Sequence, residues 1–237
     1  MAFTVPAPRP AHDDARVTAC EPVRDQVRGS ARDVARWYEN RLGWATADNV
    51  PAAGPAPYPP SARLLTGLRF DVLDLPAPVG LETLRRLPGG QGPVALSGCR
   101  ERLWLLVAAG SAEELPGLLD WLEWSGVGLD LAVWGAGRRI PAPTPPGWTG
   151  SGAPGAAVWL RAPVPGHEVE PTLPGMPTLP GPSSPVLPAH SARTGSGSEG
   201  PGLVRLVAVA AAECHRQRLL AAHARRQGAA AQRLASS

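Results

Sequence analysis

Three aspartates carry most of the chemistry available to this chain. Asp71 and Asp74 lie on an apolar stretch, Leu68 to Leu75, that reads as a strand, and Asp130 lies on another, Leu129 to Trp134. Carboxylates converging from separate strands are ordinary ligands for Mg²⁺ or Mn²⁺. Side chains alternate along a strand, so Asp71 and Asp74, three apart, point to opposite faces. They share one metal only if a bulge near Val72 re-aims one of them. A solvated strand-end acid is the plain alternative for each. The histidines offer less. His12, His167 and His190 fall in coil, and His215 and His223 sit eight apart on a helical tail with no acid between them. There is no phosphate-binding P-loop, no G-x-S-x-G, no H-E-x-x-H and no paired C-x-x-C.

The elements that must position the aspartates follow from periodicity. Ser30 opens a helix with Asp33 three residues later, an acidic form of the capping box. Val34, Tyr38 and Leu42 make its apolar face, and Gly43 ends it. After a Pro-rich loop come a strand at 68–75, a break at Pro76–Pro78, a short helix at 80–87, and strands at 93–96 and 102–108. A helix begun by Ser111 as cap, with Glu114 completing a capping box, and a strand at 129–134 follow. The order β-α-β-β-α-β predicts an α+β fold of the split β-α-β, ferredoxin-like kind: an antiparallel sheet with helices on one face. Short strands at 138–142 and 156–161 are expected to extend that sheet. Trp104, Trp134, Trp121 and Trp124 are expected to pack in the core or at its edge.

Composition bounds the rest. The chain has 237 residues, with Pro (29) and Gly (27) abundant, and its basic residues are all arginine. Residues 1–29 read as disordered, 30–162 as the folded domain, 163–202 as a Pro/Gly/Ser-rich linker, and 203–237 as a basic helix and tail. Residues 1–202 carry a formal charge near −2 and the remainder near +5, so the basic character belongs to the tail. A globular part without net positive charge is a poor general binder of duplex. No apolar run is long enough to span a bilayer, and no signal segment opens the chain, so no membrane partner and a cytoplasmic location are expected. Three widely spaced cysteines, Cys20, Cys99 and Cys214, fit neither a disulfide framework nor a zinc site.

Four segments in order resemble the bifunctional DNA primase/polymerase N-terminal domains of the archaeo-eukaryotic primase superfamily. Arg36-Trp37-Tyr38-Glu39 to Gly43-Trp44 is similar to the opening helix of that family. Thr66-Gly67 through Asp74-Leu75-Pro76, then Gly80, resembles its first motif. Ser97-Gly98-Cys99-Arg100-Glu101-Arg102 resembles the hairpin motif, and Leu129-Asp130 through Gly135-Ala136-Gly137 to Pro143 the third. The resemblance implies the same kind of sheet and two-metal nucleotidyl transfer. It places the catalytic and metal-binding acids at Asp74 and Asp130, with Mg²⁺ or Mn²⁺ as cofactor if the site is active. It also puts Ser97, Arg100, Arg102, Arg138 and Arg139 around the site as nucleotide-binding positions. The departures are chemical. The second acid of the D-x-D pair falls on Pro76, and the hairpin histidine falls near Arg102 or Leu103.

Three readings result. The first is a degenerate primase-polymerase-like domain that binds a nucleotide or single-stranded DNA without polymerising. The second is an active DNA primase/polymerase using Asp74 and Asp130, joined by Asp71 across a bulge and by Glu101. The third is a non-enzymatic scaffold whose C-terminal helix docks on a protein partner or on nucleic acid, or packs back on the core.

Overall fold

The computed structural model describes residues 30–47, 62–87, 89, 92–148, 156–176 and 202–235. Residues 1–29 and 177–201, read above as disordered segment and linker, lie outside the described residues.

The elements run α1 (Ala31–Leu42), β1 (Thr46–Ala47), β2 (Arg63–Leu65), β3 (Phe70–Pro76), α2 (Ala77–Arg86), β4 (Val94–Leu96), β5 (Arg102–Ala108), α3 (Ser111–Trp121), β6 (Ala132–Trp134), β7 (Arg139–Pro141), β8 (Val158–Arg161) and α4 (Leu203–Ala235). A five-stranded antiparallel sheet has the order β6-β3-β5-β4-β8. Its first four strands, with α2 and α3 as the crossovers, make the split β-α-β arrangement the alternating pattern predicts. The strand at 158–161 extends this sheet as expected. The strand at 139–141 does not: it pairs with β2 in a separate three-stranded sheet, β1-β2-β7. A glycine turn after β6 carries the chain off the large sheet. Gly67 permits the close approach there, since a Cβ on it would lie 2.2 Å from the Ala136 backbone.

Both faces of the large sheet are covered. On one face Leu73, Leu75, Leu103, Leu105 and Val107 meet α2, α3 and α4. On the other, Phe70, Val72, Trp104 and Leu106 meet α1 and the small sheet. The two crossover helices α2 and α3 thus share one face as expected, α4 joins them there, and α1 covers the opposite face. A strand buried on both sides reads as a nearly continuous apolar run, which is why Phe70–Leu75 shows almost no polar face.

Local signals explain most element ends. Ser30 and Asp33 form the expected capping box, and Gly43 closes α1 in the left-handed conformation. Trp44, just beyond it, turns into the core and stacks on Tyr38 with ring centroids 5.9 Å apart. The Tyr38 hydroxyl donates to the Pro143 carbonyl (2.8 Å) and accepts from Trp159 Nε1 (2.9 Å), tying α1 to two distant segments. Helix α2 begins at Ala77, earlier than the proline break suggests, because proline is tolerated in a first turn where its missing N–H has no partner to lose. Its Gly80 lets the helix lie on β5, where a Cβ would come within 2.8 Å of Leu103.

Helix α3 departs from expectation. Ser111 is not its cap: Gly110 holds that position in the left-handed conformation, and the Ser111 hydroxyl instead donates to the Ala108 carbonyl at 2.6 Å. Among the tryptophans, Trp104 is buried and Trp134 half-buried, but Trp121 is 71% exposed, contrary to the packing expected of it. The expected linker also begins later. Val169 and Leu173 are buried, and the Ala108 N–H donates to the Pro174 carbonyl (2.9 Å), so residues 163–176 belong to the folded body.

Helix α4 packs back on its own domain. Leu203, Leu206, Val207, Ala210 and Cys214 enter the same core as α2 and α3. Beside them Glu213, 1% exposed, is held by Arg86 Nη1 (2.8 Å) and Arg216 Nε (2.7 Å). A buried carboxylate held this way resists removal of either partner. Beyond Arg218 the helix runs on to Ala235, with nearly every described side chain exposed. The helix therefore has a docked half and a projecting half. Leu206→Ala is expected to cost about 2–5 kcal/mol in urea unfolding through the cavity it leaves. Leu219→Ala, in the projecting half, is expected to stay within about 0.5 kcal/mol of the parent.

Candidate functional site

Continuous pairing of Phe70–Pro76 with Arg102–Ala108 means β3 carries no bulge. Asp71 and Asp74 therefore face opposite sides of the sheet, as alternation requires. The arrangement in which both serve one metal is overturned, because no local kink re-aims either side chain.

Asp71 faces the helices and is fully buried. Its Oδ2 accepts the Ala112 N–H at 2.9 Å. It thus supplies from β3 the cap that α3 lacks locally, at the end of the helix where backbone N–H groups favour negative charge. Its Oδ1 has no hydrogen-bond partner among the described residues. Burial raises its pKa above the ordinary carboxylate value, with the nearby Glu113 adding to the rise and the Ala112 bond opposing it.

Asp74 faces the other side, 7% exposed, at the end of β3. The strand register places Arg102 across from Pro76, two residues further along the same face. Arg102 Nε donates to Asp74 Oδ1 (3.0 Å), Nη2 donates to the Asp74 carbonyl (3.3 Å), and Nη1 donates to Asp130 Oδ1 (2.7 Å). One planar guanidinium thus spans both carboxylates, a geometry that suits arginine and not a point charge. Desolvation pulls the Arg102 pKa down, but the hydrogen bonds and charges of Asp74 and Asp130 outweigh it and leave the pKa raised. The two aspartates differ in setting. Asp74 is nearly buried, whereas the Asp130 side chain is 69% exposed in the loop before β6.

The β4–β5 hairpin fixes Arg102 from behind. Ser97 Oγ accepts the Arg102 N–H (3.1 Å), and the Ser97 N–H donates to the Arg102 carbonyl (2.9 Å). Ser97 is buried in this bonding, so its hydroxyl serves the hairpin. Arg100 lies at the hairpin tip, exposed and in the left-handed conformation at φ 58°. Under the loop, Cys214 of α4 approaches the Asp130 carbonyl at 3.5 Å. Burial, with Asp130 adding to the effect, pushes its thiol up to about 11.

The expected group of arginines divides in two. Arg100 and Arg102 stand at the Pro76 end of β3. Pairing of Val72 with Trp134 sends β6 toward the other end, where the Arg138 carbonyl accepts the Thr66 N–H (3.0 Å) and Arg139 lies opposite Leu65. Val72 and Pro76 are about 13 Å apart along a strand, so the two pairs of arginines do not form one phosphate clamp.

A divalent cation does not fit the carboxylates as they stand. Asp74 and Asp130 are both engaged by Arg102, Pro76 offers no ligand, and among the described residues no third His, Cys, Asp or Glu joins them. Sequence reasoning found each member of this cluster but missed the link between them. The signal was a positive residue on β5 in register with the D-x-D-like position, a cross-strand pairing of opposite charges.

The raised pKa of Asp71 has a consequence for stability. The native state holds this proton more tightly than the unfolded chain. Its contribution is therefore fully present below the unfolded value near 3.8 and is lost as pH rises through the higher native value. Urea unfolding from pH 4 to 7 should show the parent losing stability relative to Asp71→Asn as pH rises. An Asn at this position keeps an acceptor for Ala112. A pH-independent difference would contradict the assignment.

No family model matches the chain, and no curated protein or solved structure shows significant similarity to it.

Proposed function

We propose that this chain is a primase-polymerase-like domain that does not transfer nucleotides, and that it contacts the phosphates of a nucleotide or of single-stranded DNA without a metal. The observation that carries the reading is the Arg102 guanidinium hydrogen-bonded to both Asp74 and Asp130. Any cation bridging these carboxylates must first displace a fixed positive charge that lies only about a quarter exposed (28%). The guanidinium hydrogen-bonds both acids and offsets one of their two charges, but it polarises no water and bridges no phosphate to a nucleophile, which is what metal ions supply in nucleotidyl transfer. The four ordered motif-like segments and the split β-α-β sheet support descent from the primase-like fold. Fold alone does not imply activity.

Arg100 is the residue best suited to phosphate contact. It is exposed, it makes no ion pair among the described residues, and it holds a left-handed backbone that a non-glycine residue adopts at some cost. A strained backbone at an exposed hairpin tip is the kind of feature that accompanies a role for the side chain it presents.

The full chain, incubated with a single-stranded template, nucleoside triphosphates and Mn²⁺, is expected to give no extended product. A nucleoside triphosphate or single-stranded oligonucleotide should raise the unfolding midpoint equally with Mn²⁺ or with chelator. Saturation at about 100 times Kd corresponds to about 2.7 kcal/mol. Arg100→Ala should diminish the shift. Mn²⁺-dependent extension that disappears in Asp74→Ala would overturn the proposal, and absence of any shift would remove its binding half.

A further inference from the structure

The projecting half of α4 has a charge pattern that the docked half lacks. From His215 to Ala235 the sequence contains five arginines and two histidines but no acidic residue. Arg216 is taken up by Glu213, and Arg218 Nη1 donates to the Gly128 carbonyl (2.8 Å) at the point where the helix leaves the body. Beyond that point Arg225 and Arg226 are exposed and make no ion pair among the described residues. At 3.6 residues per turn, positions 218, 225 and 226 fall within an arc of about 100° and span about 12 Å of helix axis. Arginine therefore recurs on one side of the arm, with Ala222 and Ala229 on the same side, and the docked half anchors the helix on the domain.

We propose that this arm is a nucleic-acid-binding element that lays its arginine face along a phosphate backbone. This goes beyond the reading of the Asp74 site and does not depend on it. Charge complementarity selects a polyanion, because guanidinium groups in a row match a row of phosphates. A second copy of the arm would bring arginine against arginine with no acid to offset it. Interfacial membrane helices pair a basic face with bulky apolar residues. Here the rest of the arm is mostly alanine, and among the described residues only Leu219 and Leu220 are large exposed apolar side chains.

The test uses the full chain and a labelled 30-nucleotide DNA, single-stranded and as duplex, followed by fluorescence anisotropy from 50 to 200 mM salt. Binding is expected to weaken with salt. In R225Q/R226Q the dependence of log K on log salt should shallow by about 1.4 for the single strand or about 1.8 for the duplex. Affinity at 50 mM salt should fall at least tenfold. Both positions are exposed, so the unfolding midpoint should stay unchanged, which separates lost binding from lost structure. Binding that survives R225Q/R226Q unaltered would overturn the proposal. So would no binding at 50 mM salt, or tighter association with phosphatidylserine vesicles than with either DNA. An Arg100→Ala variant that keeps full DNA affinity while R225Q/R226Q loses it would leave the arm standing even if the hairpin reading fails.

Discussion

β3 lies at the centre of the domain with both faces covered, yet it carries two aspartates. A buried carboxylate without a partner costs several kcal/mol, so the surrounding structure must answer each of them. The helix-facing Asp71 is answered by the N-terminus of α3, and the opposite-facing Asp74 by Arg102 from β5. These two answers fix where α3 starts and how the β4–β5 hairpin meets β3. They also set the position of the loop bearing Asp130, since the other end of the Arg102 guanidinium holds it. The polar interior of the sheet is thus one connected solution to a single burial problem.

That solution bears on chemistry. Carboxylates gathered from neighbouring strands are the raw material of a metal site, but their use depends on what occupies the space between them. Arginine provides one fixed positive charge shared by the two acids, planarity and permanent protonation. It provides no open coordination position. The domain brings two acids to one guanidinium, so a side chain occupies the space between them. The exposed hairpin tip and the projecting helix leave positive charge available elsewhere, at places where phosphate can approach without metal.

Much of this architecture is legible in the residues. Alternation and capping locate α1, β3, β5 and β8, and the order of elements predicts the arrangement of the first four strands of the large sheet. The parts that escape the sequence are those decided by distant partners. A three-residue strand such as β7 has too little pattern to declare which sheet it joins, and the turn at Gly135–Gly137 sends it to β2. Ser111 has the right type and spacing for a cap, but the Asp71 carboxylate on β3 takes that role. Val169 and Leu173 are too sparse in a proline-rich stretch to signal burial. Asp74, Arg102 and Asp130 are each visible as candidates, but their union depends on cross-strand register. Only in that register does Arg102 change from a nucleotide-binding candidate into the internal partner of two acids.

The central claim is that Arg102 holds the place a divalent cation would need. Electron paramagnetic resonance titration of the full chain with Mn²⁺ tests it most directly, by reading free ion against bound ion. The parent is expected to sequester no Mn²⁺ at micromolar protein and metal, and Asp74→Ala to behave identically. Stoichiometric Mn²⁺ binding in the parent that is lost in Asp74→Ala would mean that Arg102 yields the carboxylates to metal, and would contradict the account.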